Sequence, residues 1–165
     1  MPLVKQVENL QFTFPNGWEA DKFDDWKFYR GHFSKQMNGI KAVDLLAKGP
    51  DGVAYFIEVK DYRHPDTVKP SALADAIANK VLMTLAALLP AKHRAHDQKE
   101  QALAASILGC QDFRVIAHLE NPQAHRPVID PADIKQKLKQ RLAAVDPRVK
   151  VVSMANMQGL AWAVM

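Results

Sequence analysis

The sequence predicts an α/β domain of three layers, in which a central mixed β-sheet is flanked by helices. Two apolar runs, 40–47 and 53–60, enclose the turn-forming segment 48–52 and are typical of paired strands. Later in the chain, helical and strand-like segments alternate, as they do when helices connect the strands of one sheet. The 165 residues, 48% of them hydrophobic, are enough to bury one core. We therefore expect a single domain over residues 1–165.

The elements are predicted in chain order. Residues 10–14 alternate like a strand and are followed by a turn at 15–17. After the strand pair, an apolar stripe predicts a long helix that is capped by Ser71 and ends near Pro90. The remaining predictions are a helix over about 97–108, a strand over 113–119, a helix over 131–144 capped by Asp130, and strands at 149–154 and 160–164.

Besides Lys41, near the start of the first run, three charged residues stand in the first two apolar runs. Asp44 interrupts the run 40–47, and Glu58 and Lys60 lie at the end of the run 53–60. Charged residues are depleted in strands, and a buried charge is unfavourable unless it is paired or binds a metal. The lack of polar alternation over 53–57 indicates that both faces of this strand are covered. These charges therefore favour a metal site, and we take phosphodiester hydrolysis as its expected chemistry.

The pairing of the two strands decides whether such a site can form. With a three-residue loop at 50–52, the numbers of facing residues sum to 102, which places Asp44 opposite Glu58. Facing Cβ atoms lie about 4.5–5.5 Å apart, so two carboxylates could share one divalent cation. Lys60 falls on the same face as Glu58 because side chains alternate along a strand. A slip of one residue would move Asp44 to the other face and remove the site.

Residues 40 to 63 resemble the PD-(D/E)xK nuclease superfamily, which has the restriction-endonuclease-like fold. Val43-Asp44 stands at the family's acidic residue, and Glu58-Val59-Lys60 stands at its ExK tripeptide. Val43 stands where the name of the motif has a proline, and the superfamily does not keep proline strictly at this position. The resemblance implies that Asp44, Glu58 and the Val59 carbonyl bind the metal. It also implies that Lys60 positions or deprotonates the attacking water.

Members of the superfamily commonly add an acidic residue from a first helix. Segment 18–26 of this chain offers four carboxylates but no clear helical pattern. Glu19 has the residue type that the resemblance implies and stands 25 positions before Asp44, so it is ranked first. Asp24 and Asp25 are the alternatives.

The expected cofactor and partner follow from this site. Ligands that are all oxygen favour Mg²⁺ or Mn²⁺, and a cation beside Lys60 would favour its neutral form. The net charge of +4 and the pI of about 9.2 permit a polyanionic partner, expected to be DNA. Two basic clusters could contact phosphates, one at 92–99 and one at 135–141. The resemblance also allows a homodimer.

Several function classes receive no support from the sequence. The N-terminus has no signal-peptide pattern, and the longest apolar stretch, 81–89, is too short to cross a bilayer, so a cytoplasmic protein without membrane association is expected. The single cysteine fits a reducing compartment. His93, His96 and Glu100 have helical spacing for a metal but lie in a stretch expected to be exposed. The alternative to a nuclease is a catalytically inactive protein of the same fold that binds DNA or a protein partner.

Overall fold

The computed structural model describes residues 1–64, 72–122 and 129–165, and their strands form two sheets. The strands are β1 (Leu3–Val7), β2 (Leu10–Phe14), β3 (Glu19–Lys22), β4 (Leu45–Lys48), β5 (Val53–Asp61), β6 (Asp112–Glu120), β7 (Lys150–Val152) and β8 (Ala163–Val164). The α-helices are α1 (Leu73–Arg94), α2 (Gln98–Leu108) and α3 (Pro131–Arg141). A 3₁₀ turn at Phe23–Asp25 and a π-helical turn at Tyr29–Phe33 lie between β3 and β4.

The larger sheet is mixed, as the sequence predicts. Its five strands have the order β3-β4-β5-β6-β7. The first three form an antiparallel meander, whereas β5, β6 and β7 run parallel to one another. The parallel strands are joined through α1 and α2 and then through α3, as parallel pairing requires.

The two faces of this sheet are covered differently. Helices α1, α2 and α3 pack on one face, whereas β1, β2 and β8 form a small antiparallel sheet on the other. The α/β class and the three layers are confirmed. The expectation of flanking helices holds for one face, and the second outer layer is a sheet. The helix-side core includes Leu46, Phe56, Ile77, Val115 and Leu138, and the opposite core includes Phe12, Phe14, Leu45, Ile57 and Ile116.

The register of the β4–β5 hairpin is the predicted one. Leu45 faces Ile57 and Lys48 faces Ala54, so facing numbers sum to 102. The loop is closed by hydrogen bonds from the Gly49 amide to the Val53 carbonyl and from the Gly52 amide to the Gly49 carbonyl. Gly52 has a φ of +79°, a conformation that glycine adopts without strain.

Helix α1 differs from its prediction at both ends. It continues through Pro90 to Arg94, where the sequence analysis expected it to end near the proline. Pro90 removes one amide donor, and the carbonyl that loses this donor belongs to Ala86, which is exposed and can bind water. Beyond the proline, Ala91 is buried in the core, and this packing favours the continued helix. Ser71, the predicted cap, lies outside the described residues.

Helix α1 is also long and apolar enough, by length and composition, to cross a membrane. In the structure one face of it packs into the helix-side core through Ile77, Val81 and Leu88. Core helices of this kind commonly have such a composition.

The other two helices follow their predictions closely. Asp97 caps α2 by accepting hydrogen bonds from the amides of Lys99 and Glu100. Asp130 caps α3 by accepting a hydrogen bond from the amide of Ala132 in the first turn of the helix. Helix α3 ends at Arg141, three residues before the predicted end.

Candidate metal centre

The structure brings Asp44, Glu58 and Lys60 together on the helix-facing side of the larger sheet. Asp44 directly precedes β4, and the other two lie near the carboxyl end of β5. Lys60 Nζ is 3.2 Å from Glu58 Oε1. The register therefore places the predicted residues on one face, because the turn chemistry and the alternation of side chains both act locally.

The backbone pairing of β4 with β5 ends at this position. The next pair of the antiparallel ladder would join Val43 to Val59. Instead the Val59 amide donates to Asp44 Oδ2 at 2.7 Å, and the Val43 amide donates to Thr84 Oγ1 at 3.0 Å. The amide and carbonyl of a strand residue point to the same side. The Val59 carbonyl is thus directed toward Asp44 and is not taken up by the Val43 amide.

Glu58 is the most buried of the three predicted side chains, with 1% of its surface exposed. Its Oε1 atom contacts Lys80 Nζ at 2.5 Å as well as Lys60. Its Oε2 atom is buried and has no hydrogen-bond partner in the described part of the chain. One oxygen of this carboxylate is therefore held by two ammonium groups while the other is bare.

Lys80 was not predicted from the sequence. It lies on α1, whose packing against the sheet depends on tertiary structure. A signal was nevertheless present. Lys80 and Thr84 fall on the same helix face as the apolar stripe of Ile77, Val81 and Leu88, so two polar side chains had to be turned toward the core.

The charges in this cluster shift two pKa values upward. Burial, and after it the charge of Glu58, raises the pKa of Asp44 to about 7. Burial alone would lower the pKa of Lys60, but the charges of Glu58 and Asp44 outweigh it and raise the pKa above its ordinary value. The protein's own charges thus favour the ammonium form of Lys60. Only a bound cation would favour the neutral form that was expected.

Asp24, rather than Glu19, supplies the third carboxylate near this site. It lies in the 3₁₀ turn that follows β3, and the neighbouring Phe23 amide donates to the Asp44 carbonyl at 3.1 Å. Burial, and after it the charge of Asp44, raises the pKa of Asp24. Its Oδ1 atom is buried without a hydrogen-bond partner among the described residues. Asp25 instead forms ion pairs with Arg30 at 2.5 Å and Lys22 at 3.3 Å.

The structure does not place Glu19, which was ranked first, beside Asp44. Segment 19–22 is a strand, and its register places Glu19 opposite Lys48, four residues from Asp44. Four residues of strand span about 13 Å. Glu19 Oε1 accepts a hydrogen bond from Ser106 Oγ at 3.2 Å and lies 3.9 Å from Lys48 Nζ. It therefore belongs to a separate polar contact with α2.

A cation held at this position would have to retain part of its water, because few protein ligands converge there. Within residues 1–64, 72–122 and 129–165, no three His, Cys, Asp or Glu side chains form a ready cluster of ligands. Mg²⁺ in enzymes is often held by one or two carboxylates, with waters and substrate phosphates completing its coordination. Glu58 Oε2, Asp24 Oδ1 and the carboxyl group of Asp44 offer oxygens of this kind. A site that is completed by substrate agrees with these side chains better than a closed structural site.

Among His93, His96 and Glu100, which have helical spacing for a metal, Glu100 has a structural role instead. Both carboxylate oxygens of Glu100 accept backbone amides, from Lys27 and from Phe28, and so fix the segment before the π-helical turn to α2. His93 and His96 line an open groove beside Phe28.

Comparisons with known proteins give one partial similarity. No family model matches the chain, and no solved structure matches it significantly. A cysteine–tRNA ligase from Neisseria meningitidis is 27% identical over an alignment 145 residues long, and the aligned part covers 70% of this chain and 21% of that enzyme. The match thus involves about a fifth of the length of the ligase.

Proposed function

We propose that this protein is a Mg²⁺-dependent nuclease of the PD-(D/E)xK type that hydrolyses phosphodiester bonds in DNA. The observation that carries the proposal is the convergence of Asp44, Glu58 and Lys60 on one face at the end of the hairpin, beside a buried carboxylate oxygen without a partner. A bare buried oxygen next to a second carboxylate is unfavourable unless a cation joins them. The arrangement is therefore better suited to binding than to stability.

The metal would be held by Asp44, Glu58 and the Val59 carbonyl, with Asp24 as the additional carboxylate. Bound there, Mg²⁺ or Mn²⁺ would polarise the scissile phosphate and lower the pKa of a water. Asp44 binds a cation only as a carboxylate, so its raised pKa makes binding favourable above pH 7 and weak below it.

The two lysines are assigned different roles. Lys60 is part-exposed at the end of β5, so its Nζ can reach a substrate phosphate or orient the attacking water. Lys80 extends from α1 and contacts Glu58 Oε1 more closely, at 2.5 Å against 3.2 Å for Lys60. Lys80 thus acts as a positioning residue that balances the charge of Glu58 and leaves Oε2 for the metal.

The basic surfaces are unequal as phosphate contacts. On α3, Lys137 is paired with Asp133 at 2.7 Å, and Arg141 is paired with Asp75. At the end of α1, Lys92, His93 and Arg94 are exposed. The α1 terminus is therefore the better candidate of these two clusters for the DNA backbone.

An inactive protein of the same fold is the second candidate, and the lysines favour it. Two ammonium groups already neutralise Glu58 without any metal. Such a protein would bind nucleic acid or a protein partner, and Glu58 would serve only to fix α1 to the sheet. The two candidates differ in the effect of Mg²⁺ on DNA cleavage: the nuclease requires it, whereas the inactive protein does not cleave with or without it.

The test is a cleavage assay with duplex, single-stranded and branched DNA in the presence of Mg²⁺, Mn²⁺ or EDTA. The similarity to a cysteine–tRNA ligase adds tRNA to these substrates. We expect cleavage with Mg²⁺ or Mn²⁺, none with EDTA, and none by the Asp44→Asn variant. Binding without cleavage under every condition would favour the inactive protein, and Lys35→Gln, at an exposed lysine outside both basic clusters, serves as a control for charge.

A further inference from the structure

A cavity of about 450 Å³ lies on the sheet face opposite the metal centre, at the amino ends of β5 and β6. It falls in the range of pockets that hold small ligands. Its walls combine aromatic rings with cationic side chains. The lining residues used in the argument are Trp18, Tyr55, Arg114, Arg148, Lys150 and Leu160. Tyr55 precedes Lys60 by five residues, about 17 Å of strand, and lies on the other face, so the cavity is separate from the metal centre.

The rings of the aromatic wall pack against one another. The rings of Trp18 and Tyr55 lie 5.4 Å apart between centroids, and Trp162 packs edge-on against both at 5.6 and 5.2 Å. Trp162 is 3% exposed, whereas Trp18 and Tyr55 are only partly buried. Because the buried Trp162 fixes the other two rings, a planar ligand that contacts them would order few additional side chains.

The cationic wall is available to an anion. Three cations, Arg114, Arg148 and Lys150, line the cavity against one carboxylate, Asp51. Arg114 is committed to Asp112 at 3.0 Å and Asp146 at 3.2 Å. The Arg148 side chain is 69% exposed, and its one ion pair among the described residues is a long contact, 3.5 Å, with Asp112. Lys150 Nζ donates to the Gln158 carbonyl at 2.9 Å, and no ion pair of Lys150 occurs within the described ranges.

We propose that this cavity binds a nucleotide unit, with the base against Trp18 and Tyr55 and the phosphate at Arg148 and Lys150. Aromatic side chains beside cationic side chains are the combination with which proteins hold single-stranded nucleic acids. A simple anion would not use the rings, and an uncharged aromatic ligand would not use the cations. The nucleotide unit has two sources, a free nucleotide or a single-stranded nucleic acid.

The proposal is tested by calorimetric titration with AMP, adenosine, inorganic phosphate and a short thymidine oligonucleotide, all in EDTA. We expect AMP or the oligonucleotide to bind more tightly than adenosine or phosphate. Arg148→Gln and Lys150→Gln should each weaken binding by about tenfold, the scale of one charged hydrogen bond. Trp18→Leu should weaken it by tenfold or more, on the order of one lost base stack. The matched control Lys35→Gln changes an exposed lysine outside the cavity lining and outside both basic clusters, and it should have no effect.

The outcomes separate the two sources and the two sites. Tight binding of AMP indicates a free nucleotide, whereas binding of the oligonucleotide alone indicates a nucleic acid, and either supports the proposal. Asp44→Asn should leave the binding unchanged, so failure of the nuclease proposal would not remove it. Equal affinity for AMP and inorganic phosphate, no effect of Arg148→Gln, or no binding of any probe would overturn it.

Discussion

Two buried carboxylates, Glu58 on β5 and Asp146 in the loop before β7, have opposite kinds of partner. Asp146 is fully buried, and both of its oxygens are satisfied. Oδ2 accepts the Val115 amide at 2.9 Å, and Oδ1 accepts the Arg148 amide at 2.8 Å and Arg114 Nη1 at 3.2 Å. Glu58 is buried to the same degree, but its partners are the side chains of two lysines and one oxygen is bare.

The difference indicates two different roles. Backbone amides are fixed by the fold, so Asp146 holds the loop before β7 against β6 and gains a complete set of hydrogen bonds. Lysine side chains can move away, and a bare oxygen has a partner still to gain. If the proposed function is correct, burial alone would not separate a structural acid from a functional one, whereas the identity of the donors would.

The largest expected effect is on activity at Glu58. Glu58→Gln retains the shape of the side chain and removes its charge, so we expect cleavage to fall by about 10²–10³-fold or more, on the order of one lost electrostatic contact. Stability should fall less than in Asp146→Asn, because the two lysines that lose their partner are part-exposed and can turn to water. The measurement is initial cleavage rate beside urea unfolding. Full activity in Glu58→Gln would contradict the functional role that this comparison gives to Glu58.

The corresponding substitution at the fully hydrogen-bonded carboxylate is Asp146→Asn. An amide cannot accept from all three donors, so at least one buried N–H is left without a partner. We expect the free energy of unfolding to fall by about 2–4 kcal/mol. The midpoint of urea denaturation measures it, and the folded variant should retain its cleavage rate. A stability loss smaller than that of Glu58→Gln would reverse the assignment of roles.

The two lysines should respond differently to truncation. Lys60→Ala should lower the cleavage rate by about 10²-fold while Mn²⁺ affinity is retained, because ammonium is not a ligand. Lys80→Ala should raise Mn²⁺ affinity by about two- to fivefold, the scale of one part-exposed ion pair that competes for Glu58. Calorimetric titration beside the cleavage assay distinguishes them. Loss of Mn²⁺ binding in Lys60→Ala would mean that Lys60 only holds Glu58 in place.

A smaller effect is expected for the third carboxylate. Asp24→Asn should weaken Mn²⁺ binding and slow cleavage by about tenfold or more, as outer ligands commonly do. Glu19→Gln is the matched control from the same acid-rich segment and should have no effect. If Glu19→Gln is the damaging change, the register of β3 cannot be as described.

Local sequence rules were sufficient to predict part of the candidate site. The turn residues at 49–52 and the alternation of side chains determine how Asp44, Glu58 and Lys60 face one another, and all three were predicted. Choosing Asp24 over Glu19 required knowing where β3 ends, which the four carboxylates of segment 18–26 do not reveal. Lys80 required the packing of α1 on the sheet. The small sheet required the pairing of β2 with β8, about 150 residues apart in sequence.

The central claim is that Asp44 and Glu58 form a cation site, and the pH dependence of thermal unfolding tests it most directly. The folded-state pKa of Asp44, about 7, lies above its ordinary value of 3.8. The folded protein thus keeps a proton that the unfolded chain has released, so this contribution to stability is complete below pH 3.8 and is lost as the pH rises through about 7.

We therefore predict that Tm, compared with that of Asp44→Asn, falls as the pH rises toward 7, and that Mg²⁺ restores it above pH 7. Below that pKa the apparent Mg²⁺ affinity should fall by about tenfold per pH unit, since one proton must leave for each cation bound. Asp44→Asn should show neither response. A Tm that Mg²⁺ leaves unchanged above pH 7, or raises equally in Asp44→Asn, would contradict the account.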